Sequence, residues 1–155
     1  LGIFMPLQGG KGYSFMMENL PSNPKLPSIL VEARIATTPM LHGLRVAGTM
    51  ELAGINHTIN QPRIDGIIKS LKVAMPSLAD YDFSSIRPWA GLRPCTPDGL
   101  PYIGRVSSLS NLQVGTGHAM LGWTLGPITG KMLAEEVLGE KASVKSELLK
   151  VERYN

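Results

Sequence analysis

The hydrophobic period changes several times along the chain, and the changes mark its elements. Tyr13 to Glu18 reads as a strand, entered from a cluster at Gly9, Gly10 and Gly12 that lets the backbone turn sharply or approach something closely. Asn19 to Ser28, rich in Pro, Asn and Ser, reads as a surface loop. Two strand-like runs follow, Ile29 to Met40 and Leu44 to Glu51. Only Leu41, His42 and Gly43 separate them, which predicts a hairpin with Gly43 as its turn residue. From Gln61 to Met75 the period becomes helical, with Ile64, Ile67, Ile68, Leu71 and Met75 on one stripe. Asn60 or Gln61 can cap this helix, Pro62 suits its first turn, and Pro76 stops it.

Short strands return beyond it. Ser85 to Pro94 and Pro101 to Val106 flank a turn at Thr96 to Gly99, and Asn111 to Gly117 is a third run. A second helix places Leu121, Leu125, Ile128, Met132 and Leu133 on one face and ends at Gly139. The polar tail, 140–155, is expected to be partly frayed. The predicted order is three strands, a helix, three strands and a helix. This is an α+β fold, a mostly antiparallel sheet with helices on one face.

Composition narrows the picture. In 155 residues, 43% are hydrophobic and 17% charged, a globular balance with enough chain for a real core. The net charge is +3, but the lysines and arginines are scattered, so no nucleic-acid footprint is expected. One cysteine, Cys95, excludes an internal disulfide, and His42, His57 and His118 lie too far apart in sequence to suggest zinc. No apolar run reaches the ~18 residues of a membrane span. No secretory signal is expected, and a chain opening at Leu1 reads as part of something longer.

Two stretches carry candidate chemistry. In Leu112 to Gly139 a short strand feeds a glycine-rich turn and then a helix start, whose free N–H groups suit an anion or an electron-rich carbonyl. This is not a dinucleotide fingerprint, because Met120 stands where the last glycine of G-x-G-x-x-G belongs. The second stretch centres on Arg93, between an apolar run and Pro94. Asp98 is its only acidic neighbour in sequence. Two readings stay open here. In one, Arg93 pairs with Asp98 or a carbonyl. In the other it is an anion receptor, with Trp89, Leu92 and Pro94 excluding water around a bidentate guanidinium. Tyr13 and His118 are weaker candidates, each equally readable as a packing or local hydrogen-bonding residue. No nucleophilic triad, carboxylate pair or metal spacing stands out.

The sequence WAGLRPCTPDGLPYIGR, from Trp89 to Arg105, is followed by NLQVGTGHAMLGWTLGPITGKMLAEEVLG. Both resemble, in order and spacing, the C-terminal part of the FAD-dependent D-amino acid oxidase and dehydrogenase superfamily, which includes glycine and sarcosine oxidases. Lys11 to Ser14, Arg45 to Gly54 and Gln61 to Arg63 share the likeness, so it covers nearly the whole chain. The resemblance implies that 1–110 is the substrate-binding sheet region of a D-amino acid oxidase-like fold. It implies that 111–139 is the strand, turn and helix returning to the FAD domain, with 140–155 as the tail.

In the same reading Arg93 grips a substrate carboxylate, with Tyr13 and His118 beside it. Gly117, His118, Met120, Gly122, Trp123, Thr124 and Leu125 meet the flavin. The parent reaction would oxidise a D-amino acid to an imino acid and then a 2-oxo acid. The G-x-G-x-x-G segment for the FAD pyrophosphate is missing from these 155 residues. The expectation is therefore a C-terminal fragment that lacks the Rossmann domain, is inactive alone, does not retain FAD and self-associates. The parent is expected to be cytoplasmic or peripheral to the inner membrane, and to pass electrons to oxygen or a respiratory chain. The alternative is a non-catalytic module that binds small anions on the same sheet, or one chain of a hetero-oligomeric dehydrogenase.

Overall fold

A computed structural model describes residues 1–20, 22–145 and 147–154. It contains seven strands and two α-helices: β1 (Gln8–Met17), β2 (Ser28–Leu30), β3 (Ile35–Met40), β4 (Gly43–Glu51), α1 (Gln61–Ala74), β5 (Trp89–Cys95), β6 (Tyr102–Val106), β7 (Leu109–Thr116) and α2 (Gly122–Leu138). The strands form two sheets, one in the order β2-β3-β4-β1-β5 and the other the β6-β7 hairpin. The β1–β4, β2–β3, β3–β4 and β6–β7 pairs are antiparallel, so the α+β expectation holds, with a helix for each sheet.

The chain divides into two compact units, Lys11–Leu92 and a second one built from Leu1–Gly10 with Arg93–Asn155. These units cut the chain elsewhere than the functional regions read from the sequence.

In the Lys11–Leu92 unit, α1 lays Ile64, Ile67 and Leu71 on the sheet, where they meet Tyr13, Phe15, Met17, Ile35, Leu44 and Val46. Each large aliphatic residue fully buried there contributes about 1.5–3 kcal/mol. The predicted hairpin is present, with Met40 opposite Gly43. Two expectations change. The glycine cluster does not turn the chain but lies extended inside β1, which begins at Gln8. The run from Ile29 to Met40 is two strands rather than one. It is broken at 31–34 by a tight turn in which the Arg34 N–H donates to the Val31 carbonyl and Arg34 takes φ +53°.

β4 also carries a bulge. Lys11 faces Glu51 while Tyr13 faces Gly48, so β4 holds one extra residue, and Thr49 absorbs it at φ +56°.

In the other unit, α2 packs on β6 and β7. Its predicted face is only partly correct. Leu125, Ile128, Met132 and Leu133 are half-buried, but Leu121 is exposed, and the most enclosed positions are the polar Thr129 and Glu135. Glu135 is held by Lys131 and by the backbone N–H and hydroxyl of Ser143, which keep its carboxyl below the ordinary value.

The tail is not frayed over 147–154. Val151 is fully buried with Tyr102 and Val106, and Glu152 accepts hydrogen bonds from the Ser107 N–H and hydroxyl. Arg153 grips Asp98 with two donors, at 2.9 and 3.0 Å, and stacks 3.9 Å from the Tyr102 ring centroid. A polar composition concealed one buried apolar anchor and one bidentate ion pair, and those two fix the segment.

Candidate functional site

The site is assembled from the end of β5 and the segment joining β7 to α2. β5 is an edge strand of its sheet, and Pro94, which has no N–H to donate, is tolerated there. Arg93 is half-buried on β5. Its Nη1 is enclosed and has no hydrogen-bond partner among the described residues. The pairing with Asp98 left open by the sequence is ruled out. That carboxylate is taken by Arg153, whose hydrogen bonds hold it well below the usual carboxylate range. An unpartnered enclosed guanidinium nitrogen is costly, by about 1–3 kcal/mol, and it calls for an acceptor from outside the unit.

Cys95 forms an isolated antiparallel bridge with His118, which sets the end of β5 against the β7–α2 turn. Arg93 precedes Cys95 by two residues, about 6–7 Å along the strand. The turn is conformationally demanding. Gly117 takes φ +84°, and a Cβ there would lie 2.6 Å from Thr96 Cγ2, so no side chain fits. Ala119 takes φ +48°, a left-handed conformation that costs an alanine about 1–2 kcal/mol. His118 Nε2 and the buried Thr129 hydroxyl share a hydrogen bond at 2.8 Å. Burial pushes the His118 pKa below its ordinary value, so the imidazole is neutral at pH 7.

The start of α2 is open. Trp123 is 97% exposed and Met120 71%, no side chain caps the helix, and its first turn holds no acidic residue. The first N–H groups of the helix therefore have no competing side-chain acceptor at the cap and no carboxylate to repel a negative guest.

Arg93, Gly117, His118, Met120, Gly122, Trp123, Thr124 and Leu125 thus belong to the same unit, with the Cys95–His118 bridge between their segments. Tyr13 belongs to the other unit. It is 1% exposed, and its hydroxyl donates to Glu51 Oε2 at 2.5 Å. Glu51 also meets Arg63 Nε at 3.1 Å. The Tyr13 hydrogen bond is the main reason its carboxyl is held below the ordinary value. The sequence reading missed Thr96 and Thr129. Thr96 has an enclosed, unpartnered hydroxyl, and its methyl forbids a side chain at 117. Its only signal was its place in the RPCTPDG run.

A family model described as FAD dependent oxidoreductase matches residues 2–136. The chain belongs to the FAD-dependent oxidoreductase family. Among curated members, a D-amino acid dehydrogenase of Vibrio atlanticus is 39% identical over 97% of this chain, and one of Methylobacterium radiotolerans is 35% identical over 99%. The chain spans 36% of the length of each. Among solved structures, a glycine oxidase from Geobacillus kaustophilus superposes with a TM-score of 0.85 at 19% identity, over 98% of this chain and 40% of its own. An iminodiacetate oxidase from a Chelativorans species gives 0.81 at 26% identity, over 97% and 41%. The family's cofactor suits what the chain offers. The uncapped, acid-free start of α2 supplies backbone donors with no competing anion, which matches an electron-rich flavin carbonyl. Among the described residues no group of His, Cys, Asp and Glu could hold a metal ion, and no helix is long and apolar enough to cross a membrane.

Proposed function

We propose that this chain is the part of a flavin-dependent dehydrogenase that receives an amino acid by its carboxylate, with a D-amino acid as substrate. The observation that carries the reading is the enclosed Arg93 Nη1 without a partner, in a unit whose nearest acidic candidate, Asp98, is already engaged by Arg153. A guanidinium forks onto a carboxylate with two parallel hydrogen bonds, which fixes orientation as well as affinity. What FAD supplies when bound is acceptance of a hydride from the α-carbon, leaving an imino acid that water hydrolyses to a 2-oxo acid.

The chain's own residues bind and orient. Gly117 to Leu125 would hold the flavin with the backbone donors of the helix start, which would stabilise negative charge there without a general base. His118, neutral and tied to Thr129, holds the turn rather than carrying a proton. Tyr13 is engaged with Glu51 inside the Lys11–Leu92 unit. The name dehydrogenase on the curated relatives supports an acceptor other than oxygen, such as a respiratory-chain carrier. The exposed apolar residues Met120, Leu121 and Trp123 support self-association of the isolated chain, which light scattering measures.

Arg93→Gln in the flavoprotein carrying this sequence tests the reading. The kcat/KM for D-alanine is expected to fall about 100-fold or more, the size of a lost charge-assisted hydrogen-bond pair. Oxidation of an amine lacking the carboxylate should be little changed. Equal loss on both substrates, or no loss, would refute carboxylate recognition by Arg93.

A further inference from the structure

Away from the β5–α2 site, the Lys11–Leu92 unit holds a cavity of about 310 Å³ between α1 and the β4 bulge. Arg34, Thr49, Arg63 and Ser70 supply its polar lining. Three features of this cavity bear on what it could hold. Arg34 and Thr49 are both left-handed, at φ +53° and +56°, and a β-branched residue there is strained by about 1–3 kcal/mol. The two strained residues are joined, because the Thr49 N–H donates to the Arg34 carbonyl at 3.4 Å. The Thr49 hydroxyl is enclosed without a hydrogen-bond partner among the described residues. Such strain and such an orphan persist where the surroundings gain from them.

Charge gives the cavity its chemistry. Arg34 and Arg63 line it, and Arg63 Nε is engaged with Glu51 at 3.1 Å. Glu51 is itself shared with the buried Lys11, whose Nζ lies 4.0 Å away and donates to Asn56 Oδ1 and the Thr58 carbonyl. Two cations, Lys11 and Arg63, therefore share one carboxylate, while Arg34 on the cavity lining makes no ion pair among the described residues. Thr49 is part of the cavity lining.

We propose that this cavity binds a small oxyanion, a phosphate or a carboxylate, through Arg34, the free edge of Arg63 and the hydroxyls of Thr49 and Ser70. The site is independent of the one at Arg93 and does not rest on the amino acid reading. Thermal unfolding of the purified chain is the test, in potassium phosphate, in potassium succinate and in potassium chloride at equal ionic strength. For a dissociation constant on the order of 1 mM, 50 mM of the bound anion raises the unfolding midpoint by roughly 5 °C over chloride. A rise with phosphate alone assigns a phosphate, and a rise with succinate alone assigns a carboxylate. Arg34→Gln should abolish the rise. Thr49→Gly, which relieves the left-handed backbone and so folds, should reduce it. No rise with either anion, or a full rise retained in Arg34→Gln, overturns the proposal.

Discussion

Replacing Gly117 with alanine perturbs the β7–α2 turn at its tightest point, and two costs can be separated there. At φ +84° any L-residue with a Cβ loses about 1–2 kcal/mol to the left-handed backbone alone. The new methyl would also sit 2.6 Å from Thr96 Cγ2, with Tyr102 Cδ2 at 3.5 Å and Leu7 Cδ2 at 3.6 Å. Only the first contact is impossible, and relieving it by local shifts adds about 1–3 kcal/mol of overpacking. The expected total is about 2–5 kcal/mol, measured by urea denaturation of the purified chain.

Thr96→Ser removes the offending methyl and keeps the hydroxyl. In that background Gly117→Ala should cost only the backbone share, about 1–2 kcal/mol, and the difference is the coupling energy of a double-mutant cycle. A cost below about 1 kcal/mol for Gly117→Ala, or a cycle with no coupling, would refute both the turn geometry and the contact that sets it.

Neighbouring positions yield further expectations. Ala119→Gly should stabilise the chain by about 0.5–1 kcal/mol, because the left-handed φ of +48° is freely available to glycine, and chemical denaturation would show the gain. The Asp98 carboxyl is depressed by the Arg153 hydrogen bonds, so their stabilisation is present above the unfolded carboxylate pKa near ~3.9 and is lost as pH falls through the lower folded value. Asp98→Asn should therefore destabilise the chain at pH 7 by about 1–2 kcal/mol, after allowance for partial exposure, and flatten the fall in stability below about pH 4. Tyr13→Phe should raise the Glu51 pKa toward its ordinary value, an NMR titration being the measurement, since the Tyr13 hydroxyl is the main cause of its depression. Leu71→Ala, at a fully buried position under the sheet, should cost about 2–5 kcal/mol in the same denaturation assay.

What was legible in the sequence followed local rules. The helical stripe from Ile64 to Leu71 buries as spaced, because a 3.6-residue period needs no long-range information. The Met40–Gly43 hairpin was visible because a glycine sat at the right place between two strands. The turn at 31–34 was not, since it contains neither glycine nor proline and Val31, Glu32, Ala33 and Arg34 alternate apolar and charged as a strand does. The order of the site along the chain, from Arg93 to Leu125, was likewise readable. The partners of Asp98 and Tyr13 were not. Arg153 lies 55 residues from Asp98 and Glu51 lies 38 from Tyr13, distances at which only the fold decides who meets whom. The bulge at Thr49 belongs to the same class, because an extra residue in a ladder is defined by the register of its neighbour.

The division of the chain into units has a consequence for how it is made. Lys11–Leu92 is an uninterrupted run, so its core of β1, β3, β4 and α1 can close while later residues are still to emerge from the ribosome. The other unit has no such freedom. Leu1–Gly10 precedes the sheet unit in the chain but must wait for Arg93 onward. The anchor at Val151 and the clamp of Arg153 on Asp98 follow later still. The unit that holds Arg93 is thus completed only after the sheet unit can form. A pause or frameshift late in translation would release a product with one finished unit and one open one.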